Sequence, residues 1–461
     1  MAVPKARDVK LTAGREKVIL VGGYRQGDLL PGEAPLEELE RLAETAGAQV
    51  VGRIVQNLKQ VTPATFIGKG KAAEIKELGQ QTGARCALFD NDLLPGQGKN
   101  LDAATGLKVM DRTELILDIF ASRARTRVAI VQVGLALLNY RLPRLKRLWT
   151  HLERQEGGIG MRGGPGERQM EVDRRKIEKQ IDDLKHQLKE IEDRKKRMVS
   201  ARAQDHFLVS LVGYTNAGKS TLMRALTGEN VLVEDKLFAT LDTKTSMLKL
   251  GGGVHALLSD TVGFIRRLPH HLVASFHATL EEARHADLLL HVADASSPHV
   301  RGQIDAVNGV LREIGSSETE TILILNKTDA VGGVSAESNG AGANGNGAAE
   351  RSSQLDYTML RRDFPEAVPI SALRAEGLER LKNEIRERAR EGARPLTLAV
   401  HAGDGKTLSF LATHFFEDSR EIDGEWLTLT GRASRGVLEK LLSASGSVKI
   451  LKGSTPEESV T

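Results

Sequence analysis

Phe207-Leu208-Val209-Ser210-Leu211-Val212 runs directly into Gly213-Tyr214-Thr215-Asn216-Ala217-Gly218-Lys219-Ser220-Thr221, and this run constrains the architecture more than any other. The first six residues are largely apolar, as in a strand of a parallel sheet buried on both faces. The next nine contain G-x-x-x-x-G-K-S, and Thr221 to Leu226 reads as a helix. A strand that turns through glycines into a helix N-terminus presents successive backbone N–H groups to an anion, so phosphate is the expected ligand. Lys219 is then placed to reach the β and γ phosphates, and Ser220 to ligate Mg²⁺ through its hydroxyl.

Three downstream runs specify the nucleotide. His255 to Leu258 reads as a strand ending in Ser259-Asp260-Thr261-Val262-Gly263, a D-x-x-G turn in which Asp260 can hold Mg²⁺ through water and the Gly263 N–H can meet the γ phosphate. Thr321 to Leu325, another apolar strand, ends in Asn326-Lys327-Thr328-Asp329. A carboxylate there accepts both N1–H and the 2-amino group of guanine, a donor pair that adenine lacks. Val368 to Ile370 ends in Ser371-Ala372-Leu373, the position for a backbone N–H to guanine O6. The four runs in this order specify a P-loop GTPase with GTP as substrate and Mg²⁺ as cofactor.

Between the cradle and the D-x-x-G lies Phe238-Ala239-Thr240-Leu241-Asp242, followed by Thr243-Lys244-Thr245. One threonine is expected to close on Mg²⁺ and the γ phosphate in the GTP state, giving an order-to-disorder switch on hydrolysis. Thr240 is the choice, with Thr243 and Thr245 as competitors, and Lys219, Thr240 and Gly263 are the candidate catalytic residues. Phe264 stands where many GTPases carry a water-orienting Gln. An apolar ring cannot orient water, so slow intrinsic hydrolysis with acceleration by a partner is expected.

Before the strand at 207 the apolar residues keep a helical rhythm. Val131, Leu135, Leu138, Leu142, Leu145 and Leu152 form one seam, and Met170, Ile177, Ile181, Leu184, Leu188 and Ile191 a second. They predict an antiparallel hairpin whose first arm is bent or interrupted at Pro143. Its tip, 157–166, holds six glycines in ten residues. Residues 141–202 carry 18 Lys/Arg against 11 Asp/Glu, an excess of seven that leaves the remainder net negative by three, since the whole chain is +4. A flexible basic tip suits a phosphate backbone, with Gly157, Gly158, Gly160, Gly163, Gly164 and Gly166 allowing close approach and Arg162, Arg168, Arg174 and Arg175 supplying charge. RNA is preferred to duplex DNA, because no groove-sized recognition motif is visible. A hairpin that acts only as a spacer is the competing reading.

Val18–Val21, Val50–Val55, Ala87–Phe89 and Lys108–Met110 read as strands, with helices near 35–46, 70–81 and 113–121, a small parallel α/β domain. Gly68-Lys69-Gly70-Lys71 precedes one helix and is read as a tight turn in preference to a second phosphate site. Residues 331–353 are of low complexity and predict a disordered surface insertion. From Pro395 the pattern of LTLAV, an amphipathic stretch through Phe415, WLTLT, a helix at Ser434–Ser443 and VKIL predicts a small α/β tail. Its His401 and His414 show no metal-ligand spacing. No run approaches the ~18 apolar residues of a membrane span, and the single cysteine, Cys86, excludes an intrachain disulfide.

GGIGMRGGPGERQMEVDRR at 157–175, GYTNAGKST at 213–221, FATLD at 238–242, DTVGFIRRLPHHLVASFHATLEE at 260–282 and NKTD at 326–329 resemble the HflX family of translation-associated GTPases along nearly the whole chain. The resemblance implies an N-terminal parallel α/β domain, an antiparallel helical hairpin, a Ras-like G domain and a small C-terminal domain. It implies hydrolysis stimulated by the large ribosomal subunit and the splitting or rescue of stalled and hibernating ribosomes. It also implies switch I at Phe238–Asp242 with Thr240 on Mg²⁺, Phe264 as the hydrophobic replacement for the catalytic Gln, and a tip at the peptidyl-transferase region. Asn216 resembles the P-loop Asn of potassium-stimulated relatives, which adds K⁺ to the implied cofactors. The sequence departs from the family at Thr243-Lys244-Thr245-Ser246, where P-T-T-R is usual, and in a tip one glycine longer than the commonest form. It also lacks charges expected at positions 128, 130 and 134, so the first arm is expected to be shorter or differently packed.

The expected organisation is an N-terminal α/β domain at 1–122, the hairpin at 123–203, the G domain at 204–393 and the C-terminal domain at 394–461. The expected partners are large-subunit rRNA and GTP/GDP, in a monomeric cytoplasmic protein. A large-subunit assembly or RNA-binding GTPase without splitting activity is the alternative function.

Overall fold

The computed structural model describes residues 16–29, 34–145, 165–229, 237–238, 240–241, 243–251, 254–266, 277–331, 356–433, 437–438, 441 and 448–453. The chain divides into two compact units. The first comprises Met1–Glu192, Glu234–Asp242 and Arg266–Ala278, and the second comprises Asp193–Val233, Thr243–Ile265 and Thr279–Thr461.

The first unit contains strands β1 (Lys17–Tyr24), β2 (Gln49–Asn57), β3 (Cys86–Phe89) and β4 (Lys108–Asp111), with helices α1 (Glu37–Thr45), α2 (Lys69–Thr82), α3 (Pro95–Thr105) and α4 (Arg112–Arg123). The sheet is parallel, in the order β2-β1-β3-β4. Ile19, Val21, Ile54, Ile75, Ala87, Phe89 and Leu101 form its core, as the apolar runs require. Helix α3 was not visible in the sequence, because its PGQGKNLDAAT reads as a loop. A proline in the first turn has no N–H to lose, and the Leu94 N–H is taken by Gln97 Oε1 at 3.0 Å, so the start is satisfied. Gly68 to Lys71, expected as a tight turn, is instead the cap and first turn of α2: the Gly68 N–H donates to Gln56 Oε1 at 3.0 Å and Lys71, inside the helix, pairs with Glu74 at 2.7 Å.

Helix α5 (Arg127–Arg141) gives way at Pro143 to a 3-10 turn, Leu142–Arg144, where the proline removes a helical donor. Helix α6 (Pro165–Asp205) runs unbroken for 41 residues. Val131, Leu135 and Leu138 of α5 pack with Ile181, Leu184 and Leu188 of α6, flanked by Leu142, Ile177 and Ile191, as the spacing predicts; Leu145 is buried but not part of this cluster, and the Met170 side chain lies outside the described residues. Helix α5, expected to be shorter or differently packed, continues through Gly134. Ala129, Val131, Val133, Leu135 and Ala136 are all buried, and α5 packs on α4 as well as α6. Positions 128, 130 and 134, where charges were expected, are half-buried along α5. Leu152 and the tip glycines Gly157, Gly158, Gly160, Gly163 and Gly164 with Arg162 lie outside the described residues.

The second unit carries a six-stranded sheet in the order β10-β9-β8-β5-β7-β6, from β5 (Phe207–Gly213), β6 (Lys244–Gly251), β7 (Val254–Asp260), β8 (Leu288–Asp294), β9 (Thr321–Asn326) and β10 (Val368–Pro369). Only β6 is antiparallel to its neighbour. Helices α7 (Lys219–Thr227), α8 (His277–Arg284), α9 (Val300–Glu313) and α10 (Leu378–Glu391) complete it. Val331, assigned to the insertion, is 2% exposed and packs with Leu360 and Ala367, so the core holds the chain one residue longer than its composition suggests. The rest of 331–353 lies outside the described residues.

The tail differs from the α/β domain expected. Strands β11 (Arg394–His401), β12 (Phe415–Asp423), β13 (Trp426–Ala433) and β14 (Val448–Gly453) form a wholly antiparallel sheet in the order β12-β13-β11-β14, with helix α11 (Gly405–His414) after β11. With the helical residues 437, 438 and 441 between β13 and β14, this is a β-α-β-β-α-β arrangement. Strand β12 escaped the sequence because FFEDSREID is an exposed edge without apolar alternation. Among the described residues no helix is long and apolar enough to cross a membrane, and no cluster of His, Cys, Asp and Glu could hold a metal.

Candidate nucleotide site

Strands β5, β7 and β9 deliver three of the sequence-predicted loops to one edge of the sheet of the second unit, and β10 adds the fourth. Asn216 takes a positive φ of 61° and Gly218 one of 94°, which turns the loop into α7. Gly218 has a second reason to lack a side chain: a Cβ there would lie 2.3 Å from Asn326 Nδ2. The loop is therefore built around the N-K-T-D run. Asn326 is 2% exposed, donating from Nδ2 to the Ala217 carbonyl at 2.9 Å and accepting the Ala372 N–H at Oδ1 at 3.0 Å. A single amide thus ties 213–221 to 371–373.

Lys219 opens α7 with its ammonium donating to the Gly213 and Tyr214 carbonyls at 3.0 and 2.9 Å. Burial brings its pKa down to about 8, against the opposing pull of the Asp260 carboxylate. The Ser220 hydroxyl donates to Asp260 Oδ2 at 2.7 Å. A hydroxyl and a carboxylate this close form a hard-oxygen donor set of the kind Mg²⁺ prefers, so these residues fit the ion.

The D-x-x-G turn is anchored on both sides. The Thr261 hydroxyl donates to the Leu211 carbonyl at 2.6 Å, the Thr215 N–H to the Phe264 carbonyl at 2.7 Å, and the Phe264 N–H to the Gly213 carbonyl at 3.1 Å. A Cβ on Gly263 would stand 2.8 Å from Thr215 Cα and 3.1 Å from Lys219 Nζ, so only glycine fits. Val262 and the Phe264 ring are buried.

On the base side, Asp329 Oδ1 accepts the Ser371 hydroxyl at 2.6 Å, and Ser371 Oγ accepts the Arg374 N–H at 3.1 Å. Thr328 reaches the Ile370 carbonyl through its N–H at 3.2 Å and its hydroxyl at 2.9 Å. Lys327 takes a φ of 63° and pairs with Asp294 at 2.8 Å. Leu373 is 73% exposed at the rim. Asp294 and His291, both on β8, were not anticipated. His291 is buried next to the phosphate loop, and burial and then the charge of Lys219 lower its pKa to about 4. Its only sequence signal is one polar residue inside LLLHVAD.

Phe238, Thr240 and Leu241 belong to the first unit, while Ala239 and Asp242 lie outside the described residues. Phe238, expected at the nucleotide, has a φ of 56° and a ring 1% exposed that meets Phe120 of α4 edge-on at 4.6 Å. The Leu237 N–H donates to Thr45 Oγ1 at 3.3 Å, and Leu241 is buried. The two competing threonines are engaged in the second unit: Thr243 Oγ1 accepts Lys195 Nζ at 3.0 Å, and Thr245 Oγ1 donates to Glu282 at 3.4 Å. Of the hairpin arginines, Arg174 pairs with Glu178 at 2.8 Å and Arg175 with Glu171 at 2.6 Å on the exposed face of α6, whereas the side chain of Arg168 lies outside the described residues; Gly166 is in the first turn of α6.

The chain is similar to known proteins along most of its length. Residues 33–121 match the family described as GTP-binding GTPase N-terminal, 123–202 the GTP-binding GTPase Middle Region, and 208–327 the 50S ribosome-binding GTPase. The GTPase HflX of Magnetococcus marinus is 45% identical over 376 residues, 81% of this chain and 82% of its own. That of Escherichia coli (strain K12) is 40% identical over 400 residues, 87% and 88% of the two chains. That of Alkalihalophilus pseudofirmus is 39% identical over 451 residues, 96% and 99%. Among solved structures, an SsGBP–GDP complex aligns over 82% of this chain and 99% of its own at 24% identity and a TM-score of 0.43.

Proposed function

The chain belongs to the HflX family of GTPases, and from that premise we propose that it binds the large ribosomal subunit in its GTP state, separates stalled or hibernating ribosomes, and leaves on hydrolysis. The observation that carries this reading is the joining of a nucleotide site to a 41-residue helix that begins beside the basic glycine-rich run. The family described as 50S ribosome-binding GTPase, matched at 208–327, supports the choice of partner. The protein acts in the cytoplasm as a monomer.

In this reading the N–H groups of 213–221 cradle the phosphates, and Lys219 exchanges two carbonyl acceptors for β and γ oxygens. Ser220 and Thr240 would hold Mg²⁺ directly and Asp260 would hold it through water, and the ion would spread the charge that develops in phosphoryl transfer. Gly263 presents its N–H to the γ phosphate. Asp329, oriented by Ser371, accepts N1–H and the 2-amino group of guanine. Phe264 offers no group to orient water, so the chain alone turns over slowly, and the subunit positions the missing group. The six tip glycines with Arg162, Arg168, Arg174 and Arg175 contact rRNA. The ion pairs of Arg174 and Arg175 are exposed, so phosphates can displace the glutamates.

The test is GTP turnover of the full chain with and without purified large subunits. The expected result is a rise in kcat of at least tenfold. Turnover unchanged by large subunits would overturn the proposed dependence on the ribosome.

A further inference from the structure

The C-terminal end of α6 carries an ion pair whose partners flank both segments that a nucleotide switch moves. Lys195 Nζ lies 3.1 Å from Glu282 Oε1 and donates to Thr243 Oγ1 at 3.0 Å. Thr243 directly follows the 238–242 segment and leads into β6. Glu282 stands on α8, the first described helix after the D-x-x-G turn, and its second oxygen accepts the Thr245 hydroxyl at 3.4 Å. One ammonium, one carboxylate and two hydroxyls from three elements therefore close on one another. The neighbouring carboxylate, Glu281, is 3% exposed, and Lys196 approaches it at 3.8 Å.

Burial separates this pair from the others on α6. The side chains of Lys195 and Glu282 are 19% and 9% exposed, against 66% and 42% for Arg174 and Glu178. An exposed pair is screened and contributes little, but removing one partner of a buried pair leaves an uncompensated charge.

We propose that Lys195 is a positioning residue that fastens the exit of switch I, at Thr243, and the helix after D-x-x-G, at Glu282, to the end of the long hairpin helix, so that the hairpin arm senses which nucleotide is bound. The inference rests on the reading of 238–242 as the nucleotide-dependent segment, but not on the identity of the ribosomal partner. Because α6 is continuous, a change at Thr243 reaches Lys195 through one hydrogen bond and the helix through its backbone.

Hydrogen exchange of the full chain, with GDP and with a non-hydrolysable GTP analogue, tests this. In the wild type, peptides covering 238–250 and 193–205 are both expected to differ at least threefold between the two nucleotides. In Lys195→Met the response of 193–205 falls to within about 1.3-fold while that of 238–250 persists, and Lys195→Arg keeps both. The charge exchange Lys195→Glu with Glu282→Lys recovers at least half of the lost response, which a merely unfolded helix end would not. A Lys195→Met variant in which 193–205 still responds fully overturns the role of Lys195. A wild type in which 238–250 does not respond overturns the switch reading, and this inference with it.

Discussion

Burial brings the Lys219 ammonium down to about 8, and this gives the phosphate site a pH signature. A bound triphosphate favours the charged form and raises that pKa, so binding takes up a proton wherever free Lys219 is neutral. The sign follows from linkage: the contribution of Lys219 to nucleotide affinity is full below about pH 8 and falls above it, approaching tenfold per pH unit until the pKa of the complex is reached. Titration calorimetry with GDP in buffers of different ionisation enthalpy checks this, with proton uptake near zero at pH 7 and approaching one per site at pH 9. Asp329→Asn is expected to lower GTP affinity by about 3 kcal/mol, roughly a hundredfold, because an amide cannot accept two donors as the carboxylate does. The same variant should gain affinity for xanthosine triphosphate, whose 2-oxo group accepts the new N–H, and competition binding measures both changes. These residues were legible in the sequence because phosphate and guanine each require particular groups at fixed spacing. The clamp by Asn326 was not legible: its partners, the Ala217 carbonyl and the Ala372 N–H, belong to backbone, which carries no residue-type signal. His291 was hidden for a related reason, since a neutral histidine in a buried strand looks like one polar interruption.

Among the elements, the hairpin seam shows how far periodicity reaches. The 4-3 spacing of leucines and isoleucines identified the faces of α5 and α6 that meet, since only residues repeating near 3.5 stay on one side of a helix. It could not show that α5 is covered on its other side by α4, because a helix buried on two faces loses the polar half of its pattern. Edge strand β12 failed for the opposite reason, having too many charges to alternate, and α3 was masked by its two glycines. Leu184 is 7% exposed at the centre of the seam, so Leu184→Ala should cost about 2 to 4 kcal/mol locally. The cost should appear as lost hydrogen-exchange protection of about thirtyfold or more across 177–191, with 207–213 unaffected. Phe238 adds a point about the segment before β6. The Phe238 ring against Phe120 and the Leu237 N–H on the Thr45 hydroxyl are among the contacts of this segment, and no nucleotide motif encodes them.

For the whole molecule, the charge is located where the reach is. The basic excess of residues 141–202 overlaps α6, and 41 residues at ~1.5 Å each give an arm of about 60 Å. In the proposed function the basic end of this arm meets rRNA in the GTP state and leaves it after hydrolysis. The order of the parts was readable from the sequence because each leaves its own period or motif. Their grouping was not: residues 234–242 and 266–278 compact with the N-terminal sheet, an association set by tertiary packing and not by order along the chain. The central claim is tested most directly by sedimentation of intact ribosomes through a sucrose gradient after incubation with the full chain and a non-hydrolysable GTP analogue, beside a GDP control. Conversion to separate subunits with the protein on the large one, and none with GDP, is the predicted result; intact ribosomes carrying no protein under both conditions would contradict it.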